Sequence, residues 1–343
     1  MAPRATSLGS TVVCLLIGCG LGCSAGTSAG AGAGQSRDAG RDGSLSSDGA
    51  GLVDTGAPDV TLVGDAQHFG QSDASSDAPT VCNAPDLLIV LDHTDSMSDE
   101  PNGTKPPATQ AGLMLSKWYL ATTAVTTITA PPADQFVHFG LELFPLDPDT
   151  VDAGGSGHCQ TALALLGGQP ATNTHCEPAE IAVPPAPGSG STIASLLDPA
   201  TSRLCVSTPI ALALQTAEAE LGAIKVAGRP QYVMLVTDGG ETCKGDVPSA
   251  AQELAAEGIE TFVVGFGSSD AGAGGVNVPL LNDVACAGKT ATGFATACVV
   301  GDGGGYVAKD RHGPPLFFLA EDGPSLSTAL KSIAQTTCCG CAQ

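Results

Sequence analysis

From Cys82 onward, short apolar runs alternate with segments in which apolar residues recur every three or four positions. The runs at 86–91, 136–144, 232–237, 260–266 and 316–319 are short and nearly continuous, as expected of strands buried on both faces. The segments 111–128, 208–226, 249–257, 278–287 and 325–334 have helical spacing. In the first of them Leu113, Leu115, Trp118, Leu120 and Val125 form the expected buried face. Thr208 is expected as an N-cap, with Pro209 at the first helical position. Residues 146–203 and 268–314 are rich in loop-forming residues and are expected to be insertions, the second enclosing the helix at 278–287. This order predicts an α/β fold: a doubly wound, mostly parallel central sheet with helices on both faces.

Composition shortens the folded part of the 343-residue chain. Residues 24–79 are dominated by Gly, Ala, Ser and Asp and hold one aromatic residue, Phe69, too little apolar surface to offset ordering entropy. A flexible coil of about 55 residues spans on the order of 40 Å, enough to hold a folded head clear of a membrane. Arg4 precedes an apolar segment at 11–21 that is too short to span a bilayer, as in a secretory signal peptide. Leu16-Ile17-Gly18-Cys19 resembles a bacterial lipobox, in which the cysteine is lipidated; Cys23 is the alternative. The expected organisation is a leader at 1–18, a lipid-anchored linker at 19–80 and one domain at 81–343. The implied location is the bacterial cell envelope, at the outer membrane or cell surface. A formal charge of −22 with only 13 Lys and Arg disfavours nucleic acid as a partner, because a polyanion is repelled.

The first strand runs into Asp92-His93-Thr94-Asp95-Ser96, placing carboxylates and hydroxyls in one turn. Hard cations take such oxygen ligands. In an open α/β sheet ligands gather beyond the C-terminal strand ends, where Asp92 and Asp238 both fall, and Thr208 opens a helix facing the same edge. With these residues in place the sequence resembles the von Willebrand factor A domain. The metal-ion-dependent adhesion site of that family reads Asp-x-Ser-x-Ser, a distant Thr, and an Asp in a Thr-Asp-Gly turn. The resemblance implies that Asp92, Thr94, Ser96, Thr208 and Asp238 hold a divalent cation, Mg²⁺ first and Mn²⁺ or Ca²⁺ next. It also implies a protein ligand that supplies a carboxylate to the metal. Two positions depart from the family pattern: Thr94 stands where Ser is commonest and Asp95 where Gly is usual. The competing interpretation is that these residues only cap a helix and turn a strand.

Ten cysteines lie beyond residue 80, and in an exported chain five disulfides are the simplest expectation. The expected pairs are Cys205 with Cys243, Cys159 with Cys176, Cys286 with Cys298, and Cys82 with Cys338, Cys339 or Cys341. A thiolate site at residues 338–341 is the alternative. The sequence carries no catalytic elbow, phosphate loop or zinc-protease helix. The chain is therefore expected not to be an enzyme, with Glu241 as the one candidate base for a hydrolase and His93 as a solvent-facing loop residue. An adhesion head is the leading expectation, and an envelope scaffold with a purely stabilising metal is the other.

Overall fold

A computed structural model describes residues 83–147, 159–172, 176–269 and 275–338. The expected leader, Cys19, Cys23, the linker, Cys82, Cys339 and Cys341 lie outside the described residues. Ten strands are formed among those described. They are β1 (Asp86–Asp92), β2 (His138–Phe144), β3 (Gln160–Thr161), β4 (Glu180–Ala186), β5 (Arg203–Leu204), β6 (Gln231–Thr237), β7 (Glu260–Phe266), β8 (Cys298–Val300), β9 (Tyr306–Ala308) and β10 (Phe318–Ala320). Six of them build the central sheet in the order β10-β7-β6-β1-β2-β4. All its neighbours are parallel except β2 and β4.

Every residue of β1 is buried, because the sheet is covered on both sides. Leu87, Ile89 and Leu91 point into one core, and Leu88 and Val90 into the other. The first core is closed by α2 (Lys117–Thr129) through Trp118, Ala121, Val125 and Ile128, and by α9 (Gly323–Thr337) through Leu326, Leu330 and Ile333. The second is closed by α5 (Ile210–Ala223), α6 (Val247–Ala256) and α7 (Val278–Ala287). Three further helices, α3 (Ala162–Leu166), α4 (Gly190–Leu196) and α8 (Phe294–Ala297), are short. This is the doubly wound arrangement. Strand order reverses at β1, which continues to β2 on one side and borders β6 on the other, and such a reversal opens a crevice at the C-terminal strand ends.

Three expectations are corrected. The helix expected at 111–128 is broken into α1 (Gln110–Leu113) and α2, because the Ser116 hydroxyl accepts from Tyr119 N at 3.2 Å and starts a new helix. Leu115 falls in the break and is half exposed rather than buried. The region at 146–203 holds more than short elements, since β4 forms the antiparallel edge of the sheet. Pro184 and Pro185 lack N–H donors, which disguises β4 as loop but suits an edge strand. Gly140 of β2 permits its close approach: a Cβ there would meet Pro185 Cδ at 2.8 Å. Thr208 does not cap α5, whose N-cap is Pro209. Its backbone is instead paired with Thr242, as described below.

Candidate metal centre

β1 ends on Asp92 and β6 on Thr237, adjacent strands in register, so the two following turns leave the sheet side by side. Asp92 is fully buried. Its Oδ1 accepts from Thr94 N at 3.0 Å and from Thr94 Oγ1 at 2.6 Å, and its Oδ2 accepts from Thr237 Oγ1 at 2.6 Å. Thr94 Oγ1 lies 2.9 Å from Ser96 Oγ, and Ser96 Oγ donates to Asp238 Oδ1 at 2.9 Å. A continuous chain of oxygens therefore runs from Thr237 through Asp92, Thr94 and Ser96 to Asp238. Local capping does not account for it. The 3₁₀ turn Asp95–Ser98 has Thr94 at its N-cap position without a side-chain cap bond, and the Ser96 to Asp238 bond spans 142 positions.

Thr208 reaches the same place from a third segment. Its N–H donates to Thr242 Oγ1 at 2.7 Å, and Thr242 N donates to the Thr208 carbonyl at 3.1 Å. This ties the start of α5 to the loop after β6. Asp95, Ser96, Thr208, Asp238, Gly239 and Thr242 are among the residues lining one cavity of about 200 Å³. The structure thus brings Asp92, Thr94, Ser96, Thr208 and Asp238 to one edge of the sheet. The donor set is all oxygen, from short side chains, and fits a hard dication such as Mg²⁺ or Mn²⁺.

The electrostatics also favour a cation. Burial first, and then the charge of Asp238, raise Asp92 to about 7, against the hydrogen bonds from Thr237 and Thr94 that favour its charged form. Asp95 is raised by burial and by Asp238 and Asp99, with Lys105 opposing. His93 is buried rather than solvent-facing, its ring centroid 5.1 Å from that of Trp118. Burial lowers it to about 4, so it packs as a neutral ring.

Two disulfide pairings differ from expectation. Cys159 pairs with Cys205 and Cys176 with Cys243, while Cys286 pairs with Cys298. The backbone decides the first pair. β3 pairs antiparallel with β5, Gln160 opposite Leu204, which sets the adjoining Cys159 beside Cys205. Cys205 N also donates to the His93 carbonyl at 3.0 Å and its carbonyl accepts from Asp95 N at 2.6 Å, so this bridge lies alongside the loop after β1. Asp147, Cys159 and Cys205 bring ligand-type atoms within 4.8 Å of one another, but both sulfurs are in that disulfide and offer no thiolate. Cys338 is disulfide-bonded as well, which removes it from the alternative thiolate site.

Glu241 is not placed as a base. Its carboxylate accepts from Ala211 N at 3.0 Å and from Cys243 N at 2.6 Å, capping α5 and bracing the turn that Thr208 was expected to cap. Two residues at the centre were missed in the sequence. Thr242 carries a hydroxyl with no motif around it. Lys117 pairs with Asp238 Oδ2 and is wholly buried. Its signal was present, since positions 117, 121, 125 and 128 share one helical face on which Lys117 is the charged exception.

No curated protein matched the sequence. Among solved structures, proximal thread matrix protein 1 from the mussel byssus shares 14% identity with a TM-score of 0.44, over 74% of this chain and 47% of its own. The chain thus spans about half of that structure. BatB, a conserved hypothetical protein from Bacteroides thetaiotaomicron, shares 13% identity with a TM-score of 0.41, over 74% of this chain and 98% of its own. The manganese-loaded TRAP protein of Plasmodium vivax shares 14% identity with a TM-score of 0.43, over 74% and 75%. Residues 188–295, the stretch that supplies Thr208 and Asp238, match the family model of the von Willebrand factor type A domain.

Proposed function

We propose that this chain is a von Willebrand factor A-type head that binds a divalent cation and, through it, a protein partner. The observation that carries the reading is the Ser96 hydroxyl bonded to Asp238, which joins the two sequence-distant halves of the oxygen set at one cavity. Thr94, Ser96 and Thr208 supply neutral oxygens, and Asp92 and Asp238 supply charge. A cation held there would supply the positive charge that attracts a carboxylate of the partner. The surrounding residues keep the oxygens that would hold it in place: Thr237 and Thr94 fix Asp92, and Thr242 fixes Thr208. Mg²⁺ is the favoured ion, with Mn²⁺ or Ca²⁺ as substitutes.

The head is exported and held by lipid at Cys19, with Cys23 as the alternative, on a Gly/Ala/Ser/Asp linker. Disulfides at Cys159–Cys205, Cys176–Cys243 and Cys286–Cys298 support export to an oxidising compartment. Among the described residues no helix is long and apolar enough to cross a membrane. The test is calorimetric titration of the purified domain with Mg²⁺ and Mn²⁺, beside capture of envelope proteins with and without EDTA. Saturable binding lost in Asp238→Ala, and capture lost in EDTA, are expected. Undiminished metal binding by Asp238→Ala would defeat the reading.

A further inference from the structure

We propose that Lys117 is a built-in competitor of the divalent cation: its ammonium holds Asp238 when the ion is absent and weakens the ion's binding when it arrives. The inference rests on the metal-binding reading above. Lys117 is the first residue of α2 and is 0% exposed. Its ammonium pairs with Oδ2 of Asp238, while Oδ1 of the same carboxylate takes the Ser96 hydroxyl. The lysine is fixed from both ends, because its own N–H donates to the Asp99 carbonyl at 2.8 Å. Gly267 lies alongside the stem, where a Cβ would be in ordinary contact with Lys117 Cδ at 3.9 Å.

A buried ammonium is costly unless paired, and a buried carboxylate likewise, so each requires the other while no ion is present. The pair lets the pocket keep its shape empty. It also changes the charge balance. Asp92, Asp238 and Asp95 give three carboxylates against the one ammonium of Lys117, which leaves two negative charges for one dication to balance. Asp99 and Lys105 lie close by and offset one another. Asp95, the unusual charge in the first motif, is thus compensated by Lys117, and the loaded site regains the near-neutrality that still attracts an anionic partner. The consequence for the ion is a like charge beside one of its ligands. It binds more weakly than the same oxygens would hold it without Lys117, and the fold depends little on it.

The test compares wild type, Lys117→Met and the double variant Lys117→Met/Asp238→Asn, using Mn²⁺ as the probe. Free Mn²⁺ is followed by electron paramagnetic resonance, and melting is recorded in EDTA and in Mn²⁺. Lys117→Met is expected to bind Mn²⁺ at least about tenfold more tightly than wild type. Its melting temperature is expected to fall in EDTA and recover in Mn²⁺, while wild type shifts little between the two. The double variant is expected to fold in EDTA and to lose the Mn²⁺ dependence of its melting. Equal or weaker Mn²⁺ binding by Lys117→Met would overturn the inference. So would a Lys117→Met protein that Mn²⁺ does not fold while the double variant folds, because the ion would then not replace the ammonium. Absence of Mn²⁺ binding in wild type and both variants would instead remove the metal-binding reading itself.

Discussion

Metal binding should depend steeply on pH around neutrality, and the cause is the protonation of Asp92. This carboxylate ends β1 fully buried and is raised from 3.8 to about 7, by burial and then by Asp238. A cation requires it charged, so below its folded pKa each ion bound must displace a proton. Apparent Mn²⁺ affinity is expected to fall about tenfold for each pH unit below about 7 and to level off above about pH 8. Stability of the ion-free protein carries the opposite sign. A raised acid favours the folded state at low pH, with the contribution fully present below 3.8 and lost as pH rises to about 7. Over that window the loss corresponds to about 4 kcal/mol. Calorimetric Mn²⁺ titrations between about pH 5.5 and 8.5, with urea unfolding in EDTA over the same range, measure both. A dissociation constant unchanged between about pH 6 and 8 would refute the reasoning, because Asp92 would then be charged throughout or would not face the ion.

Removing the Cys159–Cys205 bridge with Cys159→Ser/Cys205→Ser opens a loop of sequence separation 46, an expected cost of about 4 kcal/mol in urea unfolding. Cys205 is paired through its backbone with the first metal loop, so Mn²⁺ affinity should fall as well. Cys286→Ser/Cys298→Ser, with a separation of 12, should cost about 3 kcal/mol and leave Mn²⁺ affinity unchanged. Ser96→Ala removes the bridge between Thr94 and Asp238; it should weaken Mn²⁺ binding at least about tenfold while costing about 1 kcal/mol of stability. Glu142, buried in β2 with neither carboxylate oxygen hydrogen-bonded, is raised well above its ordinary value by burial and then by Glu220. Its stabilising contribution is present below its unfolded pKa and lost as pH rises towards the folded one. Glu142→Gln cannot ionise, so its stability relative to wild type should increase between about pH 5 and 8, and a constant difference in urea unfolding would refute this.

Much of the architecture was legible because burial on both faces leaves a dense local signature. β1 and β6 appear within one residue of the expected bounds, and α7 matches at both ends. Each is a run whose own apolar pattern suffices. The edge strand β4 was not legible, because Pro184 and Pro185 remove donors that only an edge position can spare, and edge position is a property of the assembled sheet. Leu115 shows the same limit within a helix: its spacing fits a buried face, but Ser116 caps a new helix and turns it out to solvent.

At the centre, the sequence by itself determined which oxygens end up at the C-terminal edge of the sheet. Strand ends and helix starts are local features, and the doubly wound order sends Asp92, Thr208 and Asp238 to the same side. Tertiary structure alone decided what stands beside them. Cys205 pairs with Cys159 because the short strands β3 and β5 meet, Glu241 caps α5 instead of acting as a free carboxylate, and Lys117 becomes the counter-charge of Asp238. Each of these contacts joins residues 30 or more positions apart. Their partners are set by how helices and loops pack around the sheet, a geometry that periodicity along the chain does not encode.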